Sequence, residues 1–369
     1  MDAKVEEKSI AGLRWLVIKG ERTAVFRQLG RHAAEDVHAV QRSLPEREGL
    51  QQWAASAVGR QRLEALVAAT AEHHTRELSE LEAMAQGAAI DYEELLLANF
   101  RGDIGTHDGT GCTDLAWRRD HSFIAHNEDG APALNGRLMF VTLLIDGDVP
   151  VTAQWYPGFV PANAFSANAH GLVWGINHVQ VVNPANATGR HFVARALQHR
   201  TSVADAIAYL KGHPTAGGFA YSMGDRATGR IAVVEAAAGR TSVVEPGTDA
   251  PLQWHTNHLR NLPREIDGGS ATAAGSATQQ LGLYSESVDR GRVLDQLPLP
   301  ETEPELDWFV NMLTAKCLPD GVFRTASAPD PLMTLCTVAV DLSDGSAMLR
   351  GADGETEAIK LEQLVGVSN

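Results

Sequence analysis

The stretch Asp108-Gly-Thr-Gly-Cys-Thr-Asp-Leu-Ala-Trp117, followed by Phe123-Ile-Ala-His-Asn-Glu-Asp129, sets a thiol between a flexible glycine loop and a strand. Gly105, Gly109 and Gly111 open backbone conformations closed to other residues, while Leu115 to Trp117 and Ser122 to Ala125 carry the residue types of short strands. Cys112 therefore stands where loop becomes strand. A Gly-Cys bond in that position is open to attack by the cysteine's own thiol, because glycine imposes little hindrance on a strained carbonyl. Cleavage would leave an N-terminal cysteine, whose freed α-amine, with a pKa of about 7.7 to 8.0, takes the thiol proton within the same residue. One residue then supplies nucleophile and base. The usual fate of a free thiol is a small, buried, unreactive core residue, and spacing alone does not separate the two readings.

Upstream of this stretch, Leu13 to Lys19 alternates as a strand, and Glu21 to Arg42 places Val25, Leu29, Ala33, Val37 and Val40 at helical spacing. Helices are predicted over Leu50 to Ala71 and Thr75 to Gln86, the second stopped at Gly87. Asp91 opens a short helix to Asn99, with Glu94 three residues on. Downstream the texture turns to β. Ser122 to Ala125, Met139 to Ile145, Val151 to Trp155 and Leu172 to Asn177 are apolar runs between Asp-Gly, Pro-Gly and His-Gly turns. The unbroken run over Met139 to Ile145 predicts a strand covered on both faces.

Helices return over Arg190 to His199 and Ser202 to Lys211, and strands over Phe219 to Asp225, Arg230 to Ala236, Thr241 to Glu245 and Leu252 to Asn257. Asp267 to Gln279, small, polar and glycine-rich, reads as a loop, either mobile beside the site or a surface excursion. Helices over Ser287 to Gln296 and Pro304 to Lys316, the latter capped by Thr302, lead to a hairpin of Leu332 to Asp341 with Ser346 to Gly351. No repeat or domain-separating linker interrupts the chain. Two sets of strands with helices around them imply packed sheets with helices outside, an α+β or α/β protein.

The 369 residues, 44% hydrophobic and 21% charged, fit a compact mixed protein with ample material for a core. A net charge of -15 without any Lys/Arg-rich run argues against a nucleic-acid surface. No apolar run approaches membrane-spanning length. The thiols Cys112, Cys317 and Cys336 are too few and too odd in number for a disulfide framework, which favours a reducing compartment. Met1 to Lys8 lacks the apolar core of a signal peptide, so the expected location is the cytoplasm.

Gly111-Cys-Thr-Asp-Leu-Ala116, with Asn127-Glu-Asp129 downstream, resembles the start of the mature chain in the acyl-coenzyme A:6-aminopenicillanic acid acyltransferase family. That family belongs to the N-terminal nucleophile hydrolases and includes hydrolases of β-alanyl amines. Leu81 to Asn99 resembles the helical segment before its cleavage site, and Asn168 to Asn177 a turn and strand that lead toward its pocket. The resemblance implies an α+β fold, a four-layer αββα sandwich of the N-terminal nucleophile hydrolase type, with Cys112 at the head of a central strand. It also implies a zymogen that cleaves itself between Gly111 and Cys112. Residues 1–111 would be a mostly helical pro-segment and 112–369 the catalytic chain, both parts of one domain. Glu128 departs from the bulky residue common between Asn127 and Asp129, and the insertion around Gly268 to Thr278 has no obvious counterpart.

Carried onto this chain, the resemblance makes Cys112 the nucleophile and Asp129 the acceptor that orients the freed amine, against an ordinary hairpin turn at Asp129-Gly130. Asn257, in Trp254-His-Thr-Asn-His258, would donate to the oxyanion, a contact worth about 2.7 to 4 kcal/mol in the transition state. Arg324 would support the site. Its rival Arg290 has a helical setting that suggests a surface ion pair, and Asn177 would contact substrate. His255 and His258 lack a third ligand at a persuasive spacing, and the adjacent His73 and His74 fit a solvated break between helices, so no metal and no cofactor are expected. Trp155, Tyr156, Trp174 and Phe219 carry no assigned function.

The expected activity is cleavage of an N-acyl amide, β-alanyl or another aminoacyl, through a thioester acyl-enzyme. Transfer of the acyl group to an amine is the alternative, although no nucleotide-binding loop points to coenzyme A. A non-processing small-molecule binding protein, and a single-chain thiol enzyme with His170 or His178 as base, complete the set. Expected partners are a small amide or acyl substrate and the protein's own cleaved N-terminal chain, with higher oligomers left open.

Overall fold

The chain enters through a hairpin that its composition conceals. β1 (Lys4–Ile10) pairs antiparallel with β2 (Leu13–Gly20) across Ala11-Gly12, both at positive φ as a tight two-residue turn requires. β1 is a charged edge strand, so it lacks the apolar alternation by which β2 is recognised. In this computed structural model, residues 2–105, 111–247, 249–263, 266, 281–328 and 330–367 are described, with the backbone alone for 281–285. The loops expected over 106–110 and 267–279 lie outside the described residues.

After the hairpin come α1 (Arg22–His32), α2 (Ala34–Ser43), α3 (Arg47–Ala55), α4 (Ala57–His73), α5 (Thr75–Ala88) and α6 (Tyr92–Asn99). The two long helices expected over 21–42 and 50–71 are each broken. Ala33 leaves helical geometry, and Ser56 caps α4 by accepting from the Gly59 N–H. α5 passes through Gly87 and ends at Ala89, which takes the left-handed conformation. Gly87 serves helix packing instead of termination. A Cβ there would lie 1.9 Å from the Arg27 carbonyl, so the glycine lets α1 and α5 close together. Asp91 caps α6 through the Glu93 and Glu94 N–H groups.

The β-rich half contains β3 (Gly111–Arg118), β4 (Ser122–Gly130), β5 (Met139–Ile145), β6 (Val151–Trp155), β7 (Ser166–Asn168) and β8 (Leu172–Val179). Two helices follow, α7 (Arg190–Leu197) and α8 (Val203–Gly212), and then β9 (Gly218–Asp225), β10 (Ile231–Ala237), β11 (Arg240–Val244) and β12 (Leu252–His255). α9 (Leu281–Asp295) and α10 (Leu306–Thr314) precede β13 (Met333–Asp341), β14 (Ser346–Gly351) and β15 (Thr356–Lys360). α10 starts later than expected, with Glu305 rather than Thr302 at its cap.

These strands build two sheets, in the orders β1-β2-β5-β6-β7-β8-β9-β10-β11 and β12-β3-β4-β13-β14-β15. β2 and β5 run parallel and every other pair is antiparallel. The sheets pack face to face over a core that includes Ile124, Phe140, Phe165, Val173 and Val338. α1 and α5 close over Leu16, Ile18 and Met139 on the outer face of the first sheet, and α7 and α8 over Trp174, Ile176 and Tyr221. α10 covers Trp117 and Phe123 on the outer face of the second sheet. The result is a four-layer αββα sandwich.

Each fully buried aromatic or large aliphatic side chain contributes about 1.5–3 kcal/mol to this packing. The segment before Gly111 supplies six helices and two strands of the first sheet, of which β2 was expected and β1 was not. No helix among the described residues is long and apolar enough to cross a membrane.

Candidate active site

β3 and β4 lie in the interior of the second sheet, and strand alternation sorts their residues onto two faces. Cys112 and Glu128 are register partners, as are Asp114 and His126, and all four point between the sheets. Gly111, Thr113, Asn127 and Asp129 point toward α9, α10 and the 324–334 segment.

On the inner face the Cys112 thiol donates to Glu128 Oε2 at 3.6 Å. The same oxygen takes a hydrogen bond from His126 Nε2 at 2.8 Å, while Glu128 Oε1 accepts from the Tyr156 hydroxyl at 2.7 Å. His126 Nδ1 meets Asp114 Oδ1 at 2.6 Å. Burial alone would lower the His126 pKa, but the Asp114 charge and the bonds to both carboxylates outweigh it and raise it to about 10. The ring is therefore an imidazolium between two acids.

Burial pushes the Cys112 thiol well above its ordinary value, and the negative charges of Glu128, Asp129 and Asp114 push it further. Cys112 Sγ, His126 Nε2 and Glu128 Oε2 lie within 4.8 Å of one another, a set with metal-ligand chemistry. In this arrangement the Nε2 proton occupies the bond to Glu128 that a metal would need. Sequence reasoning overlooked His126 and Asp114. Their signal was four polar residues on one face of paired strands that otherwise read as core.

On the outer face Arg290 holds the backbone of Cys112, and Arg324 stands beside Gly111. Arg290 is fully buried rather than part of a surface ion pair, contrary to the expectation for its helix. It donates from Nη1 to the Cys112 carbonyl at 2.6 Å and to Thr113 Oγ1 at 2.7 Å, and from Nη2 to Asn257 Oδ1 at 2.6 Å. Glu286 pairs with its Nε at 2.5 Å. Asn257 Oδ1 also accepts from the Cys112 N–H at 3.1 Å, and its Nδ2 donates to the His178 carbonyl. In the continuous chain Asn257 thus holds the peptide nitrogen of Cys112.

Arg324 lies 3.7 Å from Asp129, 3.3 Å from Glu286 and 2.6 Å from Asp330. A Cβ on Gly111 would stand 2.0 Å from Arg324 Nη1, so the glycine admits the guanidinium beside the Gly-Cys bond. Asp129 accepts from Thr334 Oγ1 at 2.7 Å, and its other oxygen has no hydrogen-bond partner. Burial raises its pKa to about 6 despite the opposing pull of Arg324 and Arg290.

The structure brings Gly111, Cys112, Asp129, Asn257 and Arg324 together. Asn177 is buried on β8 and donates to the His255 carbonyl at 3.3 Å, with its Oδ1 lacking a hydrogen-bond partner. A narrow cavity at this end of the sandwich is lined by Cys112, Glu128, Tyr156, Arg101, Asn163, His178, Arg190, His191 and Phe219. His170 lies elsewhere, in a separate surface groove with Arg226 and Glu362. Trp155 and Trp174 belong to the cores outside the first sheet.

His255 meets Glu235 and the Thr256 carbonyl, and His258 meets Ser287 and the Thr256 hydroxyl. His74 is buried against the Tyr209 hydroxyl instead of solvated, and burial with the His213 charge lowers its pKa to about 4. All three cysteines are free thiols.

A cysteine at the head of a central strand of an αββα sandwich, its backbone nitrogen and carbonyl gripped from one side and its thiol turned to a cavity on the other, defines the class of site. Residues 117–354, more than half of the chain, match the family described as acyl-coenzyme A:6-aminopenicillanic acid acyl-transferase, and the chain belongs to that family. A stretch of 153 residues is 28% identical to the beta-alanyl-dopamine/carcinine hydrolase of Drosophila melanogaster, covering 36% of this chain and 40% of that relative. The match thus spans less than half of the relative's length. Two solved structures are more distantly similar. A mutant of the conjugated bile acid hydrolase from Clostridium perfringens shares 13% identity at a TM-score of 0.41, over 70% of this chain and 95% of the other. The penicillin V acylase from Agrobacterium tumefaciens shares 12% at a TM-score of 0.40, over 70% and 89%.

Proposed function

We propose that the protein is a self-processing amidohydrolase whose nucleophile is Cys112. The observation that carries the reading is the grip on Cys112: its N–H on Asn257, its carbonyl on Arg290, and the Arg324 guanidinium against Gly111. Thiol attack on the Gly111 carbonyl, an N-to-S shift and hydrolysis would divide the chain into 1–111 and 112–369. The two parts stay associated because β2 is hydrogen-bonded to β5 along its length. The freed α-amine of Cys112 then lies one residue along β3 from Gly111, the register partner of Asp129, whose buried Oδ2, without a hydrogen bond and 3.7 Å from Arg324, is the available acceptor for it.

In turnover the thiolate attacks the carbonyl of an amide, the amine leaves, and water resolves the thioester. Hydrolysis is preferred to transfer because water is always present, whereas transfer needs a second site that shields the intermediate. The cavity's narrowness, with Arg101, Asn163 and His178 in its wall, favours a short polar acyl group. A β-alanyl or other aminoacyl amide fits that description, in keeping with the name of the fruit-fly relative.

A panel of short aminoacyl amines tests the reading. Amine release should depend on Cys112, and acid-quenched intact mass should show an acyl adduct on the fragment that begins at Cys112, removable by hydroxylamine. Release that persists in Cys112→Ala contradicts it. Added amine acceptors, if they divert the acyl group from water, move the assignment to acyl transfer.

A further inference from the structure

Before cleavage, the Cys112 nitrogen is a peptide nitrogen and accepts no proton, so the α-amine base of a mature N-terminal cysteine does not exist for the first reaction. Another group has to take the thiol proton. Bulk water is poorly placed to do so, since Cys112 is only 2% exposed, Glu128 1%, and His126 and Asp114 0%. Glu128 Oε2 is the acceptor the thiol meets, at 3.6 Å. Its carboxylate is fixed at both oxygens, by Tyr156 at 2.7 Å and His126 at 2.8 Å, and His126 is fixed in turn by Asp114 at 2.6 Å.

The opposite sheet makes room for this arrangement. A Cβ on Gly175 of β8 would lie 2.6 Å from Asp114 Oδ1 and 2.7 Å from His126 Nδ1. A buried polar chain of four side chains carries a desolvation cost that an apolar strand face would avoid. Its retention directly beneath the thiol has a chemical rationale.

We propose that Glu128 is the proton carrier of self-cleavage, taking the Cys112 thiol proton and delivering it to the departing Cys112 nitrogen, with His126, Asp114 and Tyr156 as its positioning residues. The inference rests on cleavage at Gly111–Cys112. In the first step the S–H bond breaks and the Glu128 carboxylate becomes a carboxyl group, while the sulfur's electron pair forms the C–S bond to the Gly111 carbonyl carbon and the carbonyl π pair moves to its oxygen, which becomes an oxyanion. In the second the oxyanion re-forms the C=O bond as the C–N bond breaks, the nitrogen takes the proton from Glu128, and a thioester joins Gly111 to Cys112 Sγ. Water then hydrolyses the thioester to the Gly111 carboxylate and the free thiol, and the remaining proton passes to the freed α-amine. Glu128 ends as it began.

The test is a time course of full-chain cleavage, followed by intact mass, for wild type, Glu128→Gln, Glu128→Asp and Glu128→Ala, each first shown to unfold cooperatively. Glu128→Gln should cleave at least about 100-fold more slowly than wild type, the lower end of what a positioned proton-transfer group supplies. Glu128→Asp, which keeps the carboxylate, should exceed Glu128→Gln, and added formate should accelerate Glu128→Ala. A purely packing role would not give formate rescue. Cleavage of Glu128→Gln at the wild-type rate, or a folded, slow Glu128→Ala that formate does not accelerate, overturns the assignment while leaving self-cleavage standing. A wild-type chain that never cleaves overturns self-cleavage itself, and this inference with it.

Discussion

On the face of β3 and β4 turned toward the other sheet stand Cys112, Asp114, His126 and Glu128; on the opposite face stand Gly111, Thr113, Asn127 and Asp129. The inner set is a chain of proton-bearing groups that reaches the sulfur. The outer set meets Arg290 and Arg324 and controls where the backbone of the Gly-Cys bond lies. The same period-two alternation that builds a strand therefore divides proton handling from backbone positioning. Damage to the inner face should change the chemistry of the thiol, and damage to the outer face should misplace the bond it is proposed to attack.

The largest expected effect on stability is His126→Ala. It leaves Asp114 and Glu128 buried without their shared cation, and breaking a buried charge pair typically costs about 3–5 kcal/mol. Urea unfolding checks this, and a loss below about 1 kcal/mol would show the inner chain to be energetically idle. Arg290→Met comes next. It removes charged hydrogen bonds to Cys112, Thr113 and Asn257 and should slow self-cleavage strongly in a chain that still folds. Undiminished cleavage would erase the proposed difference between the faces. Tyr156→Phe removes one donor from the Glu128 carboxylate and should cost about 1.5–3 kcal/mol. Gly111→Ala inserts a methyl group against the Arg324 guanidinium and should cost about 1–3 kcal/mol by overpacking, with slower cleavage.

The pH dependence sharpens the same contrast. His126 is raised from an ordinary 6.5 to about 10 in the folded protein, so the stability it contributes is fully present below about pH 6.5 and is lost as pH rises through 10. Wild-type unfolding free energy should accordingly fall more steeply between pH 7 and 10 than that of His126→Gln. Parallel slopes would contradict the imidazolium. Asp129, raised by burial to about 6, works in the same sense in a lower window: its unfavourable ionisation lowers stability as pH rises from about 4 to 6, and Asp129→Asn should remove that decline.

Much of this arrangement is legible in sequence. The apolar runs over Met139 to Ile145 and Leu172 to Asn177 announce buried strands, and it is the family resemblance of Gly111-Cys-Thr, rather than spacing, that singles out Cys112. β1 and β15 escape because both are charged edge strands. Arg290 escapes because helical spacing reports which face a residue occupies but not what that face meets. It meets a backbone carbonyl separated from it by 178 residues. His126 and Glu128 were visible as letters within a motif. Their chemistry depends on the cross-strand register that places Glu128 opposite Cys112 and on the glycine in β8 that leaves space for the pair.

The central claim is that Cys112 cleaves the bond before it, and the most direct measurement is the intact mass of freshly purified full-length protein beside Cys112→Ala. Two associated fragments, the second beginning at Cys112, with an uncleaved control chain are the predicted result. A wild-type chain that remains whole through prolonged incubation would contradict it.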